Sequence, residues 1–408
     1  MNADTPSQTI LELAPPDVGE GRARYFRTAS DVLSVVGVLV TVYALVGAPR
    51  LGPVQLHASP LPVRGLLAAG LVSLALVAAS TPMEAGEWRV QVRAGLIALG
   101  ALSGVSLAGD PRYAAIVVLL LVGLEAARGG AITPRAREQA AGAFLLGIGT
   151  VLLDVHQSAV AQNLGVLGVV LGLIAIAGLF PTVRQRTLRA PAAEGDLSWL
   201  ALVSPILVLI VASQVLGGLP SPALVVYMAL TIAFGVLNLA WGVVGAWRAK
   251  DDLVAWRFLF LADWGLALTG LGAVVADGSG TQGAFLILVQ ILLVRFPLHE
   301  LAQARTAQGE RARAGGLSVV VGAVLCGLPP FAGFAARFYL LRAATEVGWP
   351  LTVPLLFGLL LWVLITLRIG RTLGIPRGRS AIGFGLVLGI ALGLGIVPWL
   401  VLQTVGLP

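Results

Sequence analysis

The chemistry open to this chain rests on a few ionisable side chains that interrupt long apolar segments. Five of them are Glu125, Asp263, Arg295, His299 and Arg337. An ionisable residue is costly in an apolar span and is therefore a candidate for a functional role. Histidine titrates near neutral pH, whereas arginine keeps its charge and can hold an anion or order water. These side chains are therefore the candidate functional residues of the chain, and we expect no catalytic residue among them.

Several of these residues also have a structural interpretation. Arg128 lies one turn after Glu125 and could pair with it. Arg295 could extend its guanidinium to the membrane surface, as long basic side chains do near helix ends. His299 follows Arg295 by one turn, so the two share a helix face, and a lone histidine is often a hydrogen-bonded filler. Glu300 is adjacent in sequence and is expected to point elsewhere.

Asp263 lies about two turns inside its apolar segment, where a structural partner such as Arg257 or Arg337 is an alternative to a proton-transfer role. Asp154 and His156 lie at the end of another segment and are expected to be interfacial anchors.

The composition of the chain is that of a membrane protein, so these residues are expected to lie in membrane-spanning segments. The chain has 408 residues, of which 57% are hydrophobic and only 12% charged, whereas about a quarter of a soluble domain is charged. Its mean hydropathy is +0.92. The net charge of +7 is spread thinly, so no nucleic-acid partner is expected. Three His and one Cys give no metal site or disulfide framework. Neither a dinucleotide fingerprint nor a P-loop occurs, so we expect no cofactor in this chain.

Apolar runs long enough to cross a bilayer predict about 13 transmembrane helices in an all-α bundle. They lie at 31–48, 62–80, 91–108, 111–127, 137–155, 160–180, 197–215, 221–247, 256–276, 282–303, 316–343, 350–370 and 380–404. Every second loop is basic, and these loops with the N-terminal tail hold 21 of the 27 Lys and Arg residues. Because basic loops stay in the cytoplasm, we predict a cytoplasmic N-terminus, an external C-terminus and an inner or cytoplasmic membrane location.

Two of these spans are expected to be discontinuous, since proline removes a backbone donor and breaks a helix. The residues concerned are Gly172, Gly178 and Pro181 in the first span, and Gly327, Pro329, Pro330 and Gly333 in the second. Broken helices in transporters often mark an ion path, whereas a simple proline kink is the alternative.

The positions of the two breaks predict an inverted repeat. Each lies in the fourth helix of a five-helix block, at 91–215 and at 221–370, and the blocks have opposite topology. The remaining parts are a cytoplasmic tail at 1–30, two helices at 31–90 and a C-terminal helix at 380–404.

The second break carries the most specific motif. Residues 327–344 read GLPPFAGFAARFYLLRAA. This segment resembles the signature of the antiporter-like subunits of respiratory complex I and of the Mrp cation/proton antiporters. Residues 108–129, 136–150 and 235–272 resemble further segments of that family in the same order, and the first of them places Glu125 on its buried glutamate. The resemblance covers about residues 91–370 and is greatest to subunit N of NADH-quinone oxidoreductase.

The resemblance implies buried lysines and a glutamate on a polar axis through the membrane, along which protons are transferred. It makes the candidate functional residues a predicted proton pathway, which consists of Glu125, Asp263, Arg295, His299 and Arg337. Here Ile176 and Ile206 occupy the positions of two such lysines, and Arg337 occupies a third. The only lysine of the chain, Lys250, lies in a predicted cytoplasmic loop. Half of the expected axis is therefore missing.

The resemblance implies a non-catalytic, antiporter-like membrane-arm subunit of a complex I-type respiratory proton translocase. It would contribute to, or scaffold, proton translocation coupled to quinone reduction. The expected partners are other multi-span subunits and the lipid bilayer. Two alternatives stay open at this point: a degenerate structural subunit that does not pump, and an Mrp-like cation/proton antiporter subunit.

Overall fold

The computed structural model describes residues 17–46, 50–51, 54–81, 87–129, 132–155, 158–182, 199–275, 277–307, 316–370, 373, 376 and 378–407. Its helices are α1 (Asp17–Val46), α2 (Leu61–Ser80), α3 (Glu87–Ala108), α4 (Arg112–Gly129), α5 (Pro134–Leu153), α6 (Ala159–Ala177), α7 (Ser204–Leu216), α8 (Ser221–Arg248), α9 (Asp252–Gly272), α10 (Ser279–Gln290), α11 (Phe296–Ala307), α12 (Gly316–Cys326), α13 (Ala332–Val347), α14 (Trp349–Gly370), α15 (Arg379–Ile396) and α16 (Pro398–Thr404). A π-helical turn, Trp199–Val203, leads into α7, and a second, Ile291–Arg295, joins α10 to α11.

The protein is a multi-pass membrane protein. Within the described ranges, ten helices are long and apolar enough to cross a bilayer. Large apolar side chains such as Leu39, Leu120 and Phe357 are exposed on the outer surface, as lipid contact requires. Each of the 13 predicted segments contains helix. The count of 13 crossings stays a prediction, because α4, α5 and the α12–α13 pair are not among the ten.

Two local features at the N-terminal end differ from what the sequence predicts. Helix α1 begins at Asp17, inside the segment 1–30 that was predicted to be a tail. Between α1 and α2 the short strands β1 (Arg50–Leu51) and β2 (Val54–Gln55) form an antiparallel pair.

Local sequence sets several helix starts. The hydroxyl groups of Thr133 and Ser158 accept hydrogen bonds from backbone N–H groups in the first turns of α5 and α6. The carboxylate of Asp251 does the same for Leu253 at the start of α9. Such caps satisfy donors that the helix itself leaves unpaired.

Close backbone contact through glycine holds two helix pairs together. Between α8 and α9, a Cβ on Gly265 would lie 2.3 Å from the Leu239 nitrogen, and one on Gly242 would lie 2.5 Å from the Ala262 nitrogen. Between α5 and α6, a Cβ on Gly149 would lie 2.6 Å from the Val169 nitrogen. Small residues at such contacts let helix backbones approach closely in a membrane.

Helices α6 and α12 end in the same way. Gly178 and Gly327 have left-handed backbone conformations, with φ of 71° and 66°. The glycine N–H bonds the carbonyl three residues back at 3.1 Å, and the following leucine N–H bonds the carbonyl five residues back at 3.0 Å. This pattern is the Schellman motif, in which glycine accepts the left-handed position at no steric cost. A Gly-Leu pair therefore ends both helices ahead of the nearby prolines.

The two helix ends differ in the segments that come after them. Pro181 follows the end of α6, and no helix begins among the described residues up to 182. Residues 183–198 lie outside the described part. After α12, helix α13 begins at Ala332, so Pro329 and Pro330 lie in a true interruption between helices. Gly333 lies inside the first turn of α13 and packs against Gly327, rather than in the interruption itself.

Asn238 of α8 satisfies the backbone beyond the end of α6. Its side-chain oxygen accepts from the Phe180 N–H at 2.8 Å, and its amide group donates to the Phe180 carbonyl at 3.1 Å. The side chain is fully buried. One asparagine thus replaces both backbone partners that the ended helix cannot supply.

Asn238→Leu is expected to lower the free energy of unfolding by about 1–3 kcal/mol, because it leaves the Phe180 N–H and carbonyl buried without a partner. Thermal unfolding in mild detergent would measure the loss. Asn163→Leu is the matched control, since no described group donates to the Asn163 side-chain oxygen. Equal losses in the two variants would contradict the role of Asn238.

Candidate functional site

The centre of the candidate site is an ion pair between α9 and the second π-helical turn. The Asp263 carboxylate accepts from Arg295 Nε at 2.7 Å and from Nη2 at 3.4 Å. Both side chains are only 1% exposed. Each lies near the middle of its helical segment, so the pair lies well inside the membrane. Arg295 does not extend to the surface, and Asp263 pairs with Arg295 rather than with Arg257.

Arg337 of α13 brings a second positive charge to this site. Its Cζ lies 5.2 Å from the centroid of the Trp362 ring, and the Cζ of Arg295 lies 5.5 Å from the same ring. Trp362 is fully buried and Arg337 is 8% exposed. Guanidinium groups are attracted to the face of an indole, most strongly away from water. The tryptophan therefore holds both arginines without supplying a negative charge.

The helix interruption forms one wall of the same site. The carbonyl of Leu325, in the last turn of α12, accepts hydrogen bonds from Arg295 Nη2 and from Trp362 Nε1. A Cβ on Gly327 would lie 2.6 Å from Arg337 Nη1, so only glycine leaves room for the guanidinium there. The predicted break and three of the predicted pathway residues thus meet in one place.

Backbone groups of both π-helical turns are satisfied by side chains from other helices. Ser73 of α2 donates to the Leu292 carbonyl, and Trp264 of α9 donates to the Leu200 carbonyl at 2.7 Å. Such turns free carbonyls that lipid cannot satisfy. The second turn also carries Arg295 at its end, which orients this side chain toward α9.

His299 lies on α11, one turn beyond Arg295. Its ring meets those of Trp256 and Phe260 edge to face, with centroids 6.2 and 5.6 Å apart. Its Nδ1 lies 3.3 Å from a carboxylate oxygen of Glu300. The expectation that Glu300 points elsewhere is therefore wrong, because the side chain folds back along the helix to reach the ring.

Glu125 belongs to a separate contact. Both of its carboxylate oxygens accept from the Trp199 indole, at 3.1 and 3.0 Å. Trp199 opens the first π-helical turn, and the next residue, Leu200, is bonded to Trp264 beside Asp263. The indoles of Trp199 and Trp264 therefore link the surroundings of Glu125 to those of Asp263. The Arg128 side chain lies outside the described part of the chain.

The first half lacks charge where the resemblance implies lysines. Ile176 and Ile206 are fully buried in the apolar core. Among the described residues, the fully or nearly fully buried charged side chains are Asp263, Arg295 and Arg337, all in the second half. Asp154 is half exposed and contacts Arg112, as expected for an interfacial anchor. His156 lies outside the described residues.

Sequence reasoning missed several residues that build these contacts. Trp199, Trp362 and Asn238 were not singled out, although each is a polar or amphipathic side chain in an apolar span. Because a buried indole N–H or amide needs a partner, that signal could have found them. The π-helical turns have no comparable local signature.

Similarity to known proteins is found in structure rather than in sequence. No protein-family model matches the chain, and no curated protein matches it. Among solved structures, a chain of the Mrp complex from Dietzia sp. DQ12-45-1b is 16% identical, with 95% of this chain and 92% of that chain covered and a TM-score of 0.67. A chain of respiratory complex I from Thermus thermophilus with bound NADH is 15% identical, covering 92% and 97%, with a TM-score of 0.60. A chain of the same complex with bound aureothin is 18% identical, covering 92% and 98%, also at 0.60. The chain therefore shares its fold with a chain of an Mrp complex and with a chain of respiratory complex I.

Proposed function

We propose that this chain is a non-catalytic, antiporter-like subunit of a membrane complex of the complex I or Mrp type. In this proposal it contributes to, or scaffolds, proton translocation coupled to quinone reduction by other subunits. It lies in the cytoplasmic membrane with its N-terminus inside, as the alternation of basic loops predicts. Its partners are other multi-span subunits.

One observation carries the proposal. A helix interruption faces a buried group of three charged side chains, Asp263, Arg295 and Arg337, in a fold shared with chains of both complexes. Buried charge is costly in lipid and persists where it has a role. His299 lies one turn beyond Arg295, with its Nδ1 3.3 Å from a carboxylate oxygen of Glu300.

A specific observation also favours the scaffold form of the proposal. Ile176 and Ile206 are fully buried where the resemblance implies lysines. Arg337 stands for a third lysine, and arginine does not release its proton in proteins. A continuous row of titrating groups across both halves is therefore not supported, and a structural role with a partial path fits better than an independent pump.

The first test is capture of the tagged chain from its native membrane in mild detergent. We expect a stable assembly with other multi-span subunits. Recovery of the chain alone, as a monomer, would contradict the proposal.

The second test separates a proton path from a scaffold. His299→Asn and Glu125→Gln are introduced into the assembly, with His57→Asn and Glu346→Gln as exposed controls. If protons use this chain, the first two variants lower proton uptake into vesicles severalfold while assembly is intact. Unchanged uptake selects the scaffold. Sodium-dependent proton flux by the isolated chain would instead select an Mrp-like antiporter subunit.

A further inference from the structure

We propose that Arg295 and Arg337 hold a small monovalent anion of the chloride class beside the α12–α13 interruption. The proposal concerns an anion and not a proton, and it stands whether or not the chain conducts protons. Its basis is the charge balance, the hydrogen-bond donors and the shape of the buried group around Trp362.

Charge balance is the first argument. The site contains two guanidinium groups and one carboxylate, from Arg337, Arg295 and Asp263, whose side chains are 8%, 1% and 1% exposed. Both arginines are positively charged, because guanidinium groups keep their proton in proteins. The described part of the site therefore carries one uncompensated positive charge. An isolated charge is very costly in an apolar interior, and one monovalent anion makes the group neutral.

The unused donors are the second argument. Arg295 directs Nε and Nη2 to Asp263 and Leu325, but its Nη1 has no acceptor among the described residues. Arg337 has two such atoms, Nε and Nη2. Buried donors are nearly always paired in native proteins. Three guanidinium nitrogens of two arginines beside one indole ring are thus available as charged donors to an anion.

The local backbone is the third argument. Helix α13 has 16 residues and begins at Ala332 without a side-chain cap. A helix N-terminus carries partial positive charge and unpaired N–H groups, which favour an anion. A Cβ on Gly327 would lie 2.6 Å from Arg337 Nη1, and one on Gly333 would lie 3.0 Å from the Gln290 side-chain nitrogen. The two glycines thus bring the backbone of the interruption, with the positive end of α13, close to the arginine.

The test measures thermal unfolding of the intact detergent-solubilised assembly at constant ionic strength. Chloride is exchanged for gluconate, a much larger monovalent anion. We expect chloride to raise the unfolding temperature saturably, by about 5 °C. Arg337→Met leaves the neutral Asp263–Arg295 pair, so this variant should not respond to chloride. Arg342→Met is the matched control, since Arg342 is more than half exposed and pairs with Asp277; its response should equal that of the wild type.

A chloride response retained by Arg337→Met, or absent from the wild type, would overturn the proposal. A water-filled site would give the second of these results. If Arg337→Met fails to fold, bromide provides an independent measurement on the unaltered protein. A crystal of the assembly grown in bromide should show an anomalous peak within hydrogen-bond distance of Arg337, and the lack of that peak at full bromide concentration would refute the site.

Discussion

Asp263→Asn should lower the free energy of unfolding by about 3–5 kcal/mol, the loss expected when one partner of a buried ion pair is removed. The carboxylate is the partner of Arg295, and among the described residues Asp263 is the buried acidic side chain of this site. Its neutral amide leaves two positive charges in an apolar interior. We expect a lower unfolding temperature and less assembled complex in the membrane.

The matched comparison is the double variant Asp263→Leu/Arg295→Met. It removes one charge of each sign, so the net charge of the site is unchanged, and apolar side chains of similar size fill the space. Buried ion pairs can often be replaced in this way without loss of stability. The double variant should therefore unfold near the wild-type temperature, and a double-mutant cycle should report strong coupling. Asp277→Asn breaks a partly exposed pair with Arg342 and keeps an oxygen that can accept from the Ser279 N–H, so it should cost no more than about 1 kcal/mol. Additive losses for the two buried sites would contradict the pairing.

Gly265→Val should destabilise the protein by about 3 kcal/mol or more, the top of the range for overpacked cores. A Cβ there would lie 2.3 Å from the Leu239 nitrogen and 2.6 Å from the Gly235 carbonyl oxygen. These are backbone atoms of α8, so the side chain cannot be accommodated by a rotamer change. Helices α8 and α9 would have to separate along their whole contact.

The control for this prediction is Gly389→Val in α15. Gly389 is exposed, and a Cβ there would meet no atom within 4 Å. Its effect should stay within about 0.5 kcal/mol, as for surface substitutions in general. Thermal unfolding of both variants in the same detergent tests the difference. Similar losses would mean that loss of glycine itself, rather than helix contact, causes the effect.

Sequence predicted the helical segments closely, because hydrophobic length is set by the bilayer. The predicted span 221–247 corresponds to α8, Ser221–Arg248, and 350–370 corresponds to α14, Trp349–Gly370. The end of α12 at the Gly-Leu-Pro-Pro segment is explained by local backbone preferences. These features depend on residues close together in the chain.

The partners of the ionisable residues could not be predicted in the same way. Arg257 and Arg337 were considered as partners for Asp263, yet the ion pair is with Arg295. The choice of partner for Asp263 depends on how α9 is rotated against the segment that carries Arg295. The π-helical turn before Phe296 changes that rotation. Arg128 was considered as a partner for Glu125, and the structure shows a contact of Glu125 with Trp199, 74 positions away in the sequence. Such contacts are properties of packing rather than of local sequence.

The π-helical turn at Ile291–Arg295 also limits how this segment can change in length. An α-helix turns by about 100° per residue, and a π-helical turn accommodates about one additional residue. Deleting one residue there would restore regular geometry and rotate α11 by about 100° relative to α10. His299 would leave the rings of Trp256 and Phe260, while the polar end of α11 would turn toward a different neighbour. Substitutions along this helix act one side chain at a time, whereas a single insertion or deletion would displace all of them together.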